Sequence, residues 1–150
     1  AREIAKKGVR LTAIGRTDLL PDSCRDELNK VIKETKDNKA LTLILALSYG
    51  SREEIADASR QIALKVQSGE LSPDDIDNDT ISKHLDTAEF PDPDLLIRTS
   101  GEFRLSNFLL WQLSYAEIFI SSKNWPDFRK SDFQEAVENY SRRHRRFGRV

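Results

Sequence analysis

The chain has 150 residues, of which 38% are hydrophobic and 33% are charged, and this length and balance suit one globular domain. Its formal net charge of −1 creates no overall field that would attract nucleic acid or an anionic membrane. No apolar run in the sequence approaches the ~20 residues that a membrane-spanning helix needs. The single cysteine, Cys24, excludes a disulfide framework within these residues and is typical of a reducing compartment.

The first half of the chain alternates predicted strands with predicted helices. Apolar runs at residues 9–14 and 41–47 predict two strands. The second run, LTLILAL, is continuous, which predicts a strand that is buried on both faces. Apolar residues along one helical face predict helices at 22–37 and 51–67, and Gly69 is expected to end the second helix.

The second half of the chain continues this alternation. Its predicted elements are, in chain order, a short helix near 80–85, a strand at 95–99, a helix at 106–113, a strand at 117–121 and a turn at 125–128. Ser131 and Gln134 have the spacing of a capping box and predict the start of a last helix. Because strands alternate with helices throughout, the sequence predicts an α/β fold with a mostly parallel β-sheet flanked by helices.

The start of the sequence indicates that the chain is part of something longer. It contains no methionine, not even at residue 1. Its first residues, AREIAKKGVRL, have the pattern of the last turns of a helix that leads into a strand. We therefore expect a fragment, or a mature piece, of a longer protein.

Residues 98–107 carry many hydrogen-bond donors between two apolar segments. Ligands of open α/β sheets bind beyond the carboxyl ends of the strands, and Arg98 is predicted to lie at such an end. Gly101 allows a tight turn, and a helix starting near Ser106 would offer free backbone N–H groups. Arg98 and Arg104 add two guanidinium groups that suit phosphate oxygens. The set predicts a phosphate or diphosphate site, although any one of these residues alone is explained more simply by a helix cap or a local ion pair.

Glu117 and the basic C-terminus each leave two interpretations open. Glu117 begins a strand within SYAEIFI, so it is either the buried partner of one of the two arginines or a ligand of Mg²⁺, which typically takes one or two carboxylates together with phosphate oxygens. The arginines at 142–149 are explained most simply as residues that complement the end of a helix. A nucleic-acid site would need interleaved aromatic residues and a wider basic spread, so no nucleic-acid partner is expected.

Several segments of the sequence have a family resemblance. They are LTLILALSYGSREEI with its Tyr49, Gly50 and Arg52, the long stretch DLLIRTSGEFRLSNFLLWQLSYAEIFI, and the later WPDF and RRHRRFG. These segments closely resemble the C-terminal part of the single catalytic domain of the cis-prenyltransferases, the undecaprenyl and dehydrodolichyl diphosphate synthases. The resemblance covers essentially all of residues 1–150. It implies an enzyme that adds isopentenyl diphosphate to an allylic diphosphate such as farnesyl diphosphate, releases diphosphate, needs Mg²⁺ and forms dimers.

The resemblance also implies roles for individual residues. The substrate-binding residues would be Arg98, Arg104, Ser106, Arg146 and Gly148. The first three would bind the diphosphate of isopentenyl diphosphate, and Arg146-Phe147-Gly148 would be the R-x-G element that reaches the site of a partner subunit. Glu117 would be the carboxylate associated with Mg²⁺.

The sequence departs from the family pattern in two ways. Position 103 is Phe103, where many bacterial members have histidine. No D-G-N-G-R loop occurs, although in the family this loop carries the catalytic aspartate and holds the allylic diphosphate. We therefore expect the N-terminal strands and the catalytic aspartate to be missing, and the 150 residues alone to be inactive.

Two further functions stay open from the sequence. One is a non-catalytic accessory subunit of a heteromeric cis-prenyltransferase, and the complete RTSGE-x-R-x-S block argues against it. The other is an anion-binding α/β module without prenyl chemistry. The apolar density of residues 108–119 favours a homodimer. The lipid product would enter a membrane although no transmembrane segment is predicted, so a place in the cytoplasm or at a membrane surface is expected.

Overall fold

The computed structural model describes residues 2–143, apart from the side chains of Arg2 and Ala5. The chain divides into two compact units, an N-terminal unit up to Glu89 and a C-terminal unit from Phe90. Each unit contains one pair of parallel strands with helices, so the predicted α/β fold with parallel strands is confirmed. None of the helices within residues 2–143 is long and apolar enough to cross a membrane.

The N-terminal unit follows the predicted alternation closely. Its elements are helix α1 (Arg2–Lys6), strand β1 (Val9–Ile14), helix α2 (Asp22–Thr35), strand β2 (Leu41–Ala46), helix α3 (Ser51–Ser68) and helix α4 (Asn78–Ser82). The two strands are parallel, and they pair from Val9 opposite Leu41 to Ile14 opposite Ala46. Helices α1 and α2 pack against β1. As predicted, α3 ends at Gly69, whose left-handed backbone lets its N–H bond the carbonyls of the last turn.

Strand β1 and helix α2 share one buried part of this unit. Leu11 and Ile14 of β1 and Val31 of α2 are buried. The Thr35 hydroxyl is fully buried, donates to the carbonyl of Val31 at 2.8 Å and accepts from the backbone N–H of Leu11 at 3.0 Å. One side chain thus satisfies a donor of the strand and joins it to the helix.

The prediction that β2 is buried on both faces is wrong. Leu41 is 60% exposed and Leu43 is 38% exposed, and the remaining residues of the strand also keep contact with solvent. A continuous apolar run indicates two covered faces only where neighbouring elements supply the cover. Here helices α1 and α2 pack against β1, so they leave the side chains of β2 accessible.

The C-terminal unit contains strand β3 (Leu95–Arg98), strand β4 (Glu117–Ile120) and helix α5 (Lys130–Ser141). The strands are parallel, with Leu95 opposite Glu117 and Arg98 opposite Ile120. Helix α5 packs against β4, and Ala136 on its inner face is fully buried.

The segment predicted as a helix at 106–113 forms a series of turns in the structure. Ser106, Asn107 and Leu109 have left-handed backbones, with φ of 50°, 62° and 46°. A right-handed helix cannot include such residues, because L-amino acids adopt this conformation singly and in turns. The apolar spacing that suggested a helix therefore reflects side chains on successive turns.

The predicted cap of the last helix is also wrong. Helix α5 begins at Lys130, so Ser131 lies inside it, and the capping carboxylate belongs to Asp132. Its Oδ2 accepts from the backbone N–H of Arg129 at 2.7 Å. A carboxylate is a stronger acceptor at a helix N-terminus than the hydroxyl of Ser131, because it also complements the helix dipole.

Candidate anion site

The loop after β3 is held against the loop after β4 by backbone hydrogen bonds. The N–H of Ser121 donates to the carbonyl of Arg98 at 2.8 Å, and the N–H of Gly101 donates to the carbonyl of Ser121 at 2.8 Å. The N–H of Ser100 donates to the carbonyl of Lys123 at 2.7 Å. Ser100 and Gly101 both have left-handed backbones, with φ of 65° and 64°, so the chain turns tightly here as the sequence predicts. These bonds fix the backbone on both sides of Arg98.

Lys123 anchors the second of these loops to helix α5. Its ammonium donates to Oδ1 of Asp132 at 2.7 Å, and the Asp132 side chain is only 10% exposed. The bond from Lys123, followed by the bond from the N–H of Arg129, holds the pKa of Asp132 below its ordinary value. The loop that fixes Ser100 is therefore tied to the start of the helix.

A pocket of about 320 Å³ opens beside the end of β3. It is lined by Leu96, Arg98, Glu102, Phe103, Arg104, Leu105, Ile118 and Ile120. Side chains alternate between the faces of a strand, so Leu96 and Arg98 share one face, as do Ile118 and Ile120. The pocket thus has an apolar floor from the two strands and two guanidinium groups from the strand end and the loop.

Arg98 carries an unsatisfied donor at this pocket. Its Nε is buried and has no hydrogen-bond partner within residues 2–143. A buried donor without an acceptor costs about 1–3 kcal/mol, and more when the group is charged. Such a group in a native fold calls for an explanation.

Arg104 already has a local partner. Its Nη1 forms an ion pair with Glu102, and the Arg104 side chain is 63% exposed. The simpler interpretation of a local ion pair therefore holds for this arginine. An exposed pair of this kind contributes only about 0–1 kcal/mol, so a dianionic ligand can displace Glu102 at little cost.

Ser106 is not among the described residues that line the pocket. It lies two residues beyond Arg104, in the left-handed part of the loop, and no helix begins at it in the structure. The structure thus joins Arg98 and Arg104 at one pocket and places Ser106 beside them along the chain. The backbone N–H groups and dipole of a helix N-terminus, expected from the sequence, do not contribute to this site.

Glu117 lies on a different face from the pocket. It alternates with Ile118 along β4, so its side chain points away from the face that carries Arg98. Its Oε2 accepts from Nη1 of Arg143 at 2.7 Å, and the same Nη1 also lies 3.1 Å from the carbonyl of Ile118. An arginine partner was one of the two interpretations of Glu117, but the structure supplies Arg143 rather than Arg98 or Arg104.

The described residues do not fit a magnesium site. Within residues 2–143 no group of three or more His, Cys, Asp or Glu side chains could hold a metal ion. Glu117 offers a single carboxylate, and the positive charge of Arg143 already occupies it. Arg146 and Gly148, the remaining predicted site residues, lie outside the described residues.

A second polar network, which the sequence did not reveal, lies in the N-terminal unit. The buried carboxylate of Glu54 accepts from the hydroxyl of Tyr49 at 2.6 Å and from the N–H of Asp86 at 2.9 Å. Asp86 in turn accepts from the N–H of Gly15 at 2.9 Å. The network joins the chain just after β1 and β2 to helix α3. Its only signal in the sequence is that Glu54 falls on the same helical face as the apolar Ala58.

Arginines at the carboxyl end of a parallel strand are typical of α/β proteins that bind phosphorylated small molecules. The prenyltransferase family model, described as undecaprenyl diphosphate synthase, matches residues 1–148. The chain belongs to this family, and the resemblance to the cis-prenyltransferases is confirmed.

Relatives in bacteria, archaea and plants agree with this assignment. An isoprenyl transferase of Porphyromonas gingivalis is 50% identical over 148 residues, which are 99% of this chain and 58% of that protein. A tritrans,polycis-undecaprenyl-diphosphate synthase (geranylgeranyl-diphosphate specific) of Methanocaldococcus jannaschii is 48% identical over 149 residues, which are 98% of this chain and 53% of that protein. The chain therefore spans just over half the length of these curated relatives.

A solved structure shares the fold. It is the crystal structure of lavandulyl diphosphate synthase from Lavandula x intermedia in complex with dimethylallyl diphosphate. The match has a TM-score of 0.94 and 43% sequence identity, and it covers 98% of this chain and 64% of that one.

Proposed function

We propose that this chain supplies the isopentenyl diphosphate half-site for cis-prenyl chain elongation. In the reaction, isopentenyl diphosphate is added to an allylic diphosphate such as farnesyl diphosphate. A carbon–carbon bond replaces the bond to the leaving diphosphate, and the isopentenyl unit loses one proton. The observation that carries this proposal is that Arg98, whose Nε is buried with no hydrogen-bond partner among the described residues, lines a pocket with an apolar floor.

The two ends of this pocket suit the two ends of isopentenyl diphosphate. Arg98 and Arg104 offer guanidinium groups for bidentate, charge-assisted bonds to the diphosphate, and Ser106 follows them on the same loop. Leu96 and Ile118 provide apolar surface for the hydrocarbon. Holding the five-carbon unit by both ends would orient its double bond toward the allylic carbon, and misplacement of a reactant by ~1 Å can cost about a hundredfold in rate.

Other implications of the resemblance are proposals as well. Mg²⁺ dependence is proposed from the resemblance alone, because Arg143 engages Glu117. The proposal of a homodimer is supported by apolar side chains that stay exposed between 108 and 119, among them Tyr115 at 67% and Leu110 at 37%. Four further expectations stay predictions. They are the roles of Arg146 and Gly148 toward a partner subunit, the membership of residues 1–150 in one catalytic domain, the inactivity of these residues alone, and the cytoplasmic or membrane-surface location.

The proposal is tested by measuring the binding of isopentenyl diphosphate to the purified protein by titration calorimetry. Arg98→Ala should weaken binding about ten- to a hundredfold, because a lost charge-assisted hydrogen bond costs about 1.5–3 kcal/mol. Arg60→Ala is the matched control, since Arg60 is an exposed arginine that pairs with Asp57 on α3. It should bind as the wild type does.

Equal binding by the Arg98→Ala and Arg60→Ala variants would contradict the assignment of Arg98. If the wild-type protein does not bind isopentenyl diphosphate at all, the accessory-subunit alternative is favoured, because such a subunit would donate only the R-x-G element. Both variants should keep the circular dichroism spectrum of the wild type, which separates lost binding from lost folding.

A further inference from the structure

Phe103 has an unusual position for a large apolar side chain. It is 86% exposed, the highest value among the exposed large apolar residues of the described chain. It lies in the loop between Glu102 and Arg104, and it lines the same pocket as they do. Packing of the core therefore does not explain why a phenyl ring stands at this position.

The loop that carries Phe103 begins from a firmly held backbone. Ser100 and Gly101 are bonded to the loop after β4, and Lys123 in that loop is bonded to the buried Asp132. A ring held in this way keeps its place beside the pocket at a small cost in conformational entropy, because a phenylalanine side chain has only two rotatable bonds.

The occupant of the pocket follows from its charge and its size. Arg98 and Arg104 call for an anion, whereas Leu96, Ile118 and Ile120 call for a hydrocarbon. A structural relative that is 43% identical to this chain is in complex with dimethylallyl diphosphate, a five-carbon diphosphate. A five-carbon group is short, so once its diphosphate is bound by the arginines its hydrocarbon must contact the side chains next to them.

We propose that Phe103 covers the hydrocarbon of isopentenyl diphosphate and determines how large a homoallylic hydrocarbon this pocket accepts. The inference rests on the proposed function, since it takes the pocket to be the isopentenyl diphosphate half-site. The strands supply the floor beneath the hydrocarbon. The phenyl ring supplies a side wall, which exchanges its contact with solvent for contact with the ligand. Phe103 is thus a specificity residue, and it takes no part in binding the diphosphate.

The test separates the hydrocarbon from the diphosphate. Dissociation constants for inorganic diphosphate and for isopentenyl diphosphate are measured on the wild-type protein and on Phe103→Ala. Diphosphate affinity should stay within about twofold of the wild-type value, because the arginines are intact. Isopentenyl diphosphate affinity should fall about tenfold, which is the loss expected when cover is removed from roughly two carbon-sized groups.

Two further variants sharpen the comparison. Phe103→Leu keeps an apolar wall, so its affinity for isopentenyl diphosphate should fall by less than about threefold, in proportion to the smaller side chain. Trp125→Ala is the matched control, because Trp125 is also an exposed aromatic residue, at 72%, and does not line the pocket within the described residues. It should leave both dissociation constants unchanged. A bulkier probe is 3-ethyl-3-butenyl diphosphate. Its affinity relative to that of isopentenyl diphosphate should be higher in Phe103→Ala than in the wild type.

The outcomes distinguish this inference from the function on which it rests. If Phe103→Ala keeps the wild-type ratio of the two dissociation constants, the role of Phe103 is refuted while the half-site stands. An equal fall in affinity for diphosphate and for isopentenyl diphosphate also refutes the role of Phe103, since the ring would then only position the arginines. A change of oligomeric state in light scattering, with the ratio kept, would assign the ring to a contact between subunits instead. If Arg98→Ala binds both ligands as tightly as the wild type, the half-site itself is refuted.

Discussion

Replacing Gly15 by alanine should destabilise the N-terminal unit far more than the same change at Gly69. Gly15 follows β1 directly and has φ of 89°. A Cβ at this position would overlap the carbonyl oxygen of Leu47 and would lie 2.8 Å from Cβ of Tyr49. Leu47 cannot move away freely, because its N–H donates to the carbonyl of Ile14 at 3.0 Å. Gly69 also has a positive φ of 78°, but an added Cβ would meet nothing within 4 Å.

The magnitude is the sum of two costs and one gain. A left-handed backbone costs a residue with a Cβ about 1–2 kcal/mol, and forcing extra atoms into a filled space costs about 1–3 kcal/mol. Alanine also reduces the entropy of the unfolded chain, which returns about 0.4–1 kcal/mol. The free energy of unfolding should therefore fall by roughly 1–4.6 kcal/mol for Gly15→Ala, against roughly 0–1.6 kcal/mol for Gly69→Ala, where no clash occurs.

Urea denaturation followed by circular dichroism measures both values. The midpoint should shift for each variant while the slope stays constant, which shows that stability has changed and that the surface exposed on unfolding has not. Equal shifts for the two glycines would refute the reasoning. In that case Leu47 and Tyr49 would yield to the new methyl group, and the close approach of the chain segments after β1 and β2 would not be rigid.

Two further predictions concern ion pairs of the C-terminal unit. Lys123, and to a lesser extent the N–H of Arg129, lowers the pKa of Asp132 in the folded protein. The Asp132 carboxylate therefore stabilises the fold above its unfolded pKa of about 3.9. This contribution to stability is lost as the pH falls through the lower pKa of the folded state. Asp132→Asn should therefore lower the denaturation midpoint at pH 7, and its difference from the wild type should shrink below about pH 4; a constant difference from pH 7 to pH 3 would contradict this. A double-mutant cycle with Glu117→Gln and Arg143→Ala should give a coupling free energy of about 0.5–1 kcal/mol that added Mg²⁺ does not change, whereas a coupling abolished by Mg²⁺ would show that the ion competes with Arg143 for Glu117.

The sequence predicts an element well where the signal is local. All four strands form where short apolar runs occur, and α2 and α3 form where apolar residues follow a helical spacing. The stop at Gly69 is equally local, because it depends on one residue that adopts a left-handed backbone freely. These features depend on residues within one or two turns of each other, so a single sequence contains the necessary information.

The errors arise where distant parts of the chain decide. Whether β2 is covered depends on where helices α1 and α2 pack, and the composition of β2 carries no information on this. At 106–113 the apolar spacing fits a helix, but Ser106, Asn107 and Leu109 adopt left-handed backbones that propensity disfavours for leucine above all. Arg143 is 26 residues away from its partner Glu117, and Asp86 is 32 residues away from Glu54, so neither of these two pairings has a local sequence signal.

The described loop contains no helix start, and this changes which groups can bind a diphosphate at the proposed site. A phosphate bound at a helix N-terminus gains from several backbone N–H groups and from the dipole, and these contributions survive most side-chain substitutions. Here the N–H groups of Ser100 and Gly101 are already bonded to the loop after β4, so they are not free for a ligand. At the proposed half-site, the charge for a diphosphate is therefore assigned to the guanidinium groups of Arg98 and Arg104. On this proposal each arginine would carry a larger share of the binding free energy than it would beside a helix N-terminus. Lysine would not replace it, because a point charge does not reproduce two parallel N–H bonds to one phosphate.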